Sequence, residues 1–264
     1  MEAHTHPHNT PNKGFRHYLF DFFMLFLAVY CGFLAENMRE HRIEQLRATE
    51  LAKSLYEELR NDSATAVIKV QNRIKQEDGL KFIIHYLESD SSLVNVSKAF
   101  AINFEYGINF RSPGLFEPRT VVLEQLKNSG SLRYFKNDEL QKLVGDLTVA
   151  IRNIQDRQNL ETTVRLEKLN PILMEHHDYV FWETITKEGT IAFDKAMIDY
   201  EKSDKIIPFH LRQVEKFDKQ EIIGVLAFYV YNAISSTRQV HIQRYIDTNA
   251  KLLSLLRSEY HLGS

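Results

Sequence analysis

The longest run of apolar positions lies near the N-terminus, YLFDFFMLFLAVYCGFLA from Tyr18 to Ala35, with Asp21 as its single charge. Phe, Leu, Met, Val and Tyr fall on every face of a helix drawn through it, whereas a core helix keeps a polar stripe. Roughly 18 helical residues can just cross a hydrocarbon core of about 30 Å, so the run predicts one transmembrane helix over residues 17–36. No break follows. Ile43, Leu46, Leu51, Leu55, Leu59, Ala66, Val70 and Ile74 recur in three- and four-residue steps with Glu and Arg between them. This spacing predicts a long amphipathic helix continuous with the span, reaching about Leu87, with Gly79 as its weakest point. Such a continuation couples the outer domain to the membrane, and its apolar face requires helical partners.

Further along, Lys98 to Ile108 is a short apolar segment, and Ser112, Pro113, Gly114 and Pro118 mark a loop. A short helix is expected from about Arg119 to Asn128, closed by Ser129 and Gly130, because glycine accepts the left-handed conformation at a helix end. Asn137 reads as the N-cap of the next helix, with Asp138 and Glu139 favourable at its positive end. Leu140, Leu143, Leu147, Ile151, Ile154 and Leu160 then carry that helix toward Leu169, and Asn170 and Pro171 restart or kink the path. Helices are expected over Ile172–Ile185 and around Ile191–Tyr200. Asp218 and Glu221 have capping-box spacing before a last long helix to about Tyr260, whose apolar face takes Ile222, Leu226, Tyr229, Ala233, Val240, Leu252 and Leu256. The predicted fold is all-α, with the N-terminal span continuous with one helix of an elongated antiparallel bundle, coiled-coil-like in its long faces. The organisation is a disordered tail over 1–16, the span over 17–36 and a helical soluble domain over 37–262.

Composition supports helices over strands: 10 Gly and 6 Pro in 264 residues are few for a chain that must turn often. A formal net charge of −2 removes bulk attraction to nucleic acid, so none is expected as a partner. The one cysteine, Cys31, lies in the apolar run, which excludes an internal disulfide framework and a Cys-based zinc cluster. Lys13 and Arg16 precede the run as in a signal peptide. However, Phe33 stands two positions before Ala35, where a cleavage site wants a small residue, and this leaves an uncleaved anchor. Lys13 and Arg16 on one side nearly balance Arg39, Arg42 and Arg47 on the other, so charge alone does not orient the span.

Candidate chemistry is sparse. His4, His6 and His8 could capture a metal only from a tail with no fixed partner ligands. None of the 11 histidines has a glutamate three residues before it, which removes the Glu-x-x-His signature of metal sites in helical bundles. Glu175, His176, His177 and Asp178 form the densest group of ligand types, but consecutive residues on a helix point about 100° apart. There is no phosphate-binding loop and no G-x-S-x-G elbow. Aromatics from Tyr179 to Trp182 read as packing, and Arg238, His241 and Arg244 as a solvated face. No catalytic, cofactor-binding or metal residue is assigned, and no cofactor is expected. Asp21, close to the membrane entrance, reads as a carboxylate that reaches the interface toward Arg16 or His17; kept neutral, it could join helices in an oligomer.

The stretch LEQLKNSGSLRYFKNDELQKL, from Leu123 to Leu143, resembles a family of bacterial membrane-anchored proteins known only as a domain of unknown function. The similar features are an acidic residue early in the span (Asp21), Glu36 and Asn37 at its exit, and a turn of the form LK-x-SG-x-LR followed by KN-x-EL. The turn is carried here by Leu126, Lys127, Ser129, Gly130, Leu132 and Arg133, then Lys136, Asn137, Glu139 and Leu140. This chain departs in a longer, histidine-bearing tail and in lacking a tryptophan at the exit. The resemblance implies an inner-membrane anchor with a cytoplasmic N-terminus and a periplasmic domain, and supplies no activity. With no catalytic constellation, the expected function is a non-enzymatic scaffold or sensing module that partners the lipid bilayer and acts through self-association or a membrane protein. The competing expectations are a ligand receptor or enzyme with a site assembled from distant residues, or an accessory subunit of a membrane complex.

Overall fold

A computed structural model describes residues 15–89, 91–110, 114–186 and 193–263, and every regular element among them is helical. The histidine tail up to residue 14 and the loop residues Ser112 and Pro113 lie outside the described residues. The first helix, α1, covers Phe15–Glu88. The chain divides into two compact units inside it, between Leu51 and Ala52.

In the first unit α1 is exposed over residues 15–43. It contains an 18-residue apolar window long enough to cross a membrane, and none of that window is buried. Phe20, Phe22, Leu25, Val29 and Phe33 all stand exposed, as does Leu46, which the spacing placed on a covered face.

The second unit holds the core. Along α1 its inner positions are Leu55, Leu59, Asp62, Ala66, Arg73, Gln76, Leu80, Ile83 and Leu87, all buried, with half-buried Lys69 between Ala66 and Arg73. Counted with the polar members, the steps alternate four and three without a fault. A stripe read from apolar residues alone drifts to Val70 and Ile74, which are only half buried, because it skips Asp62, Arg73 and Gln76. Gly79 is a packing point, where the sequence suggested weakness. A Cβ there would stand 2.9 Å from the Asn103 carbonyl oxygen and 2.9 Å from the Gly107 nitrogen, and one at Gly107 2.8 Å from the Leu80 nitrogen. Two glycines facing each other let two backbones touch.

Helix α2 (Lys98–Phe104) starts at the Ser97 cap and runs into a π-helical turn over Glu105–Asn109. Beyond it come α3 (Val121–Asn128) and α4 (Asp138–Val164), and a second π turn over Arg165–Leu169 leads into α5 (Asn170–His176). The single helix expected over Ile172–Ile185 is two. His177 and Asp178 leave the helical path, and Asp178 Oδ1 accepts from the Val180 and Phe181 amides to start α6 (Tyr179–Thr186). Helix α7 covers Phe193–Lys202. Asp218 caps α8 (Lys219–Phe228) through the Glu221 amide at 3.1 Å. Two π stretches, Tyr229–Ser235 and Thr237–Ile242, join α8 to α9 (Gln243–Tyr260). Each π turn takes more residues per turn than an α turn and so rotates the register. Val240, placed on the apolar face by α-helical counting, accordingly points outward, while Ile222, Leu226, Tyr229, Ala233, Leu252 and Leu256 are buried.

Aromatic residues dominate the core near α2. Phe209 lies 5.4 Å from Phe104 and 5.0 Å from Phe181, centroid to centroid, and Phe181 sits edge-on to Tyr200.

Candidate functional site

The motif from Leu126 to Leu140 forms the corner between α3 and α4. Leu126 and Leu140 are fully buried and anchor its two ends. Lys127 pairs with Glu124, Ser129 Oγ donates to the Gln125 carbonyl, and Gly130 takes φ 66°. That positive φ is the left-handed region in which a Cβ is strained, so glycine closes α3. Leu132 is half buried, Arg133 lies over the Tyr134 ring, and Lys136 is exposed. Asn137 Oδ1 accepts from the Glu139 and Leu140 amides at 2.9 and 3.1 Å, and its Nδ2 donates to Glu259 of α9. Ser129 Oγ and Asn137 Oδ1 thus serve the turn, and Asn137 Nδ2 ties it to α9. Asn137→Ala is expected to cost about 1 kcal/mol, the worth of a good N-cap, read as a lowered denaturation midpoint by circular dichroism.

Asp21 is half exposed on α1, with Oδ2 3.9 Å from His17 Nε2. At the end of the apolar stretch Glu36 accepts from Arg39 Nε at 3.1 Å, and Asn37 is exposed beside it.

The densest buried polar chemistry surrounds the connection between α2 and α3. Its described residues 115–120 belong to no regular element, yet Phe116 among them is fully buried, as is Ile108 in the π turn before them. Buried amides and carbonyls must find partners, and side chains supply them. Gln76 Nε2 donates to the Phe110 carbonyl at 3.0 Å, and Arg165 Nη2 to that of Asn109. Arg73 Nε donates to the Gly114 carbonyl at 2.9 Å. Gln158 brackets Phe116, accepting from its amide at 2.7 Å and donating to its carbonyl at 3.0 Å. Asp62 accepts from the Arg119 amide at 2.9 Å, and Glu58 from the Val122 amide at 3.2 Å. Arg73 also closes a two-pronged ion pair with Glu161, at 2.9 and 3.1 Å. Both partners are essentially excluded from solvent. A cavity of about 10 Å³ lies among Arg73, Gln76, Glu161, Arg165 and Tyr229, room for about one water. Burial, with Glu161 nearby, holds the Tyr229 phenol above its ordinary value.

The four ligand-type residues at 175–178 do not converge on one point. Half-buried Glu175 lies 3.9 Å from Lys216 Nζ and 4.0 Å from His176 Nε2. His176 Nδ1 lies 3.0 Å from the Arg212 carbonyl oxygen, and its ring sits edge-on to Phe217. His177 Nε2 is 2.7 Å from Glu105 Oε1, in a wholly buried pair walled by the rings of Phe104, Tyr179 and Phe209. Asp178 Oδ2 accepts from the His210 amide at 2.8 Å. Read as one helix, this stretch hides the Glu105–His177 pair, whose members are 72 residues apart. No group of three or more metal-ligating side chains occurs among the described residues.

Arg238, expected on a solvated face, instead forks onto Glu77 at 2.6 and 2.8 Å, and this bond holds its guanidinium above the ordinary value. His241 is half buried, and desolvation, reinforced by Arg157 and Arg244, lowers its pKa. Among the concave surfaces is an open groove of about 650 Å³ between Phe82 and Tyr86 of α1 and Ile223, Ala227 and Tyr231 beyond.

The described residues define a class: an all-helical protein carrying one helix long and apolar enough, by length and composition, to cross a membrane. No family model, curated protein or solved structure matches the chain.

Proposed function

We propose that this chain is a single-span membrane protein whose helical unit is a non-enzymatic scaffold or sensing module, acting through self-association or a membrane partner. The observation that carries the reading is the apolar stretch of α1, uncovered on every face. An exposed apolar surface of that extent has no place in water, whereas lipid solvates it and a helix satisfies its own backbone there. The proposed setting is a bacterial inner membrane, with the N-terminus cytoplasmic and the domain in the periplasm, as the family resemblance implies.

Two further observations support the scaffold. Buried Arg73, Glu161, Asp62, Glu105 and His177 bond the chain's own backbone and one another, a structural use of charge. The pairs Tyr56–Arg257, Leu59–Asn249, Asp62–Tyr245 and Glu77–Arg238 step in opposite directions along the chain, which favours an antiparallel bundle.

Full-length protein is expected in the membrane fraction, resistant to alkaline carbonate, and deletion of residues 17–36 is expected to release it. Full-length protein in the soluble fraction would sink the reading. Protease added to intact spheroplasts is expected to digest the domain; complete protection reverses the orientation. Native mass spectrometry in mild detergent separates the associating forms from a lone monomer, and recovery of monomer only overturns the association.

A further inference from the structure

We propose that the small cavity in the polar layer is a binding site for one ordered water, which accepts from the Tyr229 hydroxyl and donates to Gln76 Oε1 and to the Glu161 carboxylate. Nothing in such a site depends on whether the chain spans a membrane.

The cavity measures about 10 Å³, the room that one water needs. Arg73 and Gln76 reach it from α1, Glu161 from α4, Arg165 from the π turn after α4, and Tyr229 from the π stretch after α8. All five are more than nine-tenths buried. Gln76 spends its Nε2 on the carbonyls of Gly107 and Phe110, at 3.4 and 3.0 Å, and among the described residues no donor meets its Oε1. That oxygen would lie 3.6 Å from a Cβ on Gly114, another residue of the cavity wall. The Tyr229 oxygen receives the Arg165 guanidinium, and burial keeps the phenol in its protonated form, so the hydroxyl has a hydrogen to give. Each Glu161 oxygen takes a guanidinium bond from Arg73, at 2.9 and 3.1 Å, and keeps a second lone pair.

Buried polar groups without partners are costly, and an internal water with about three bonds is the usual remedy. Water fits this wall where other occupants do not. Gln76 Oε1 and the Glu161 carboxylate both accept, so the occupant must donate twice, which no halide does, and the carboxylate repels an anion. The guanidinium groups of Arg73 and Arg165 repel a cation in the same way. An apolar occupant leaves the amide oxygen and the phenol unpaired, and the volume admits nothing larger than one water. Tyr229 is the first residue of its π stretch. The water therefore ties α1 and α4 to the point at which the helix after α8 leaves the α-helical register.

The test is X-ray radiolytic footprinting of the full chain in detergent micelles, read by mass spectrometry. Radicals formed from a bound water oxidise the side chain beside it, even where bulk solvent does not reach. Tyr229 is expected to take up oxygen. Tyr245 is the control and is expected to stay unlabelled: it is fully buried, and its hydroxyl already donates to Asp62 and accepts from Asn249, at 3.0 and 3.4 Å. Gln76→Leu replaces the amide acceptor by an apolar group, leaves Tyr229 in place as the reporter, and is expected to abolish its uptake. Uptake at Tyr229 no greater than at Tyr245, or undiminished uptake in the variant, overturns the proposal. Should the variant fail to fold, the comparison of the two tyrosines in the unsubstituted chain decides. Salt separates water from a halide: thermal midpoints in sodium chloride and in sodium gluconate of equal ionic strength are expected to coincide. A midpoint that rises with chloride alone assigns the cavity to an anion and overturns the water.

Discussion

Arg73→Met is expected to destabilise the helical unit by about 3–5 kcal/mol, because it leaves Glu161 as a buried, unpaired charge. The same substitution removes the donor to the Gly114 carbonyl and one partner of Gln158, so the segment that crosses the interior loses its register. For a unit of this size the melting temperature is expected to fall by on the order of 10 °C, read by circular dichroism in detergent. Arg73→Met combined with Glu161→Leu is expected to recover much of the loss, since an apolar pair of similar volume costs no desolvation. A single variant as stable as the parent, or a double variant no better than the single, would falsify the account of the polar layer as a tightly coupled unit.

Gly79→Ala and Gly145→Ala are expected to move stability in opposite directions, although both glycines stand within helices. In an open helix alanine is better than glycine by about 1 kcal/mol, because glycine has more backbone freedom to lose. A methyl group at Gly145 would meet no neighbouring element within 4 Å, so its substitution follows that rule. At Gly79 the methyl would fall 2.9 Å from the backbone of Asn103 and of Gly107, atoms that cannot rotate away. Overpacking of this kind costs about 1–3 kcal/mol and overrides the helix-propensity gain. Chemical denaturation of the two variants beside the parent checks both signs, and a stabilised Gly79→Ala removes the close contact between α1 and the turn after α2.

Local signals were legible where the chemistry is local. Asn137 and Asp218 were readable as caps because a short acceptor side chain before an amphipathic run has few other uses, and Gly130 was readable as a helix end for its left-handed backbone. Asp178 carried the same signal ahead of Tyr179–Trp182, but the aromatic run after Pro171 read as one helix and hid it. The Glu105–His177 pair left no trace in sequence spacing. Neither did the five side chains that serve the backbone between α2 and α3, nor Glu58 at the first turn of α3, because their partners are main-chain groups that every residue carries.

Hydropathy and spacing by themselves determined that the chain is helical, that one apolar stretch near its N-terminus is long enough to cross a membrane, and where three helix ends lie, at Gly130, Asn137 and Asp218. These properties depend on each residue and its near neighbours along the chain. Only the tertiary structure decided that Asp62, Arg73, Gln76, Gln158 and Glu161 face inward, that Gly79 is a contact, and that Val240 faces outward. A polar side chain is counted against the core when judged alone, yet it belongs there once a distant backbone needs its hydrogen bonds. A π turn likewise rotates everything beyond it without changing a single residue's character.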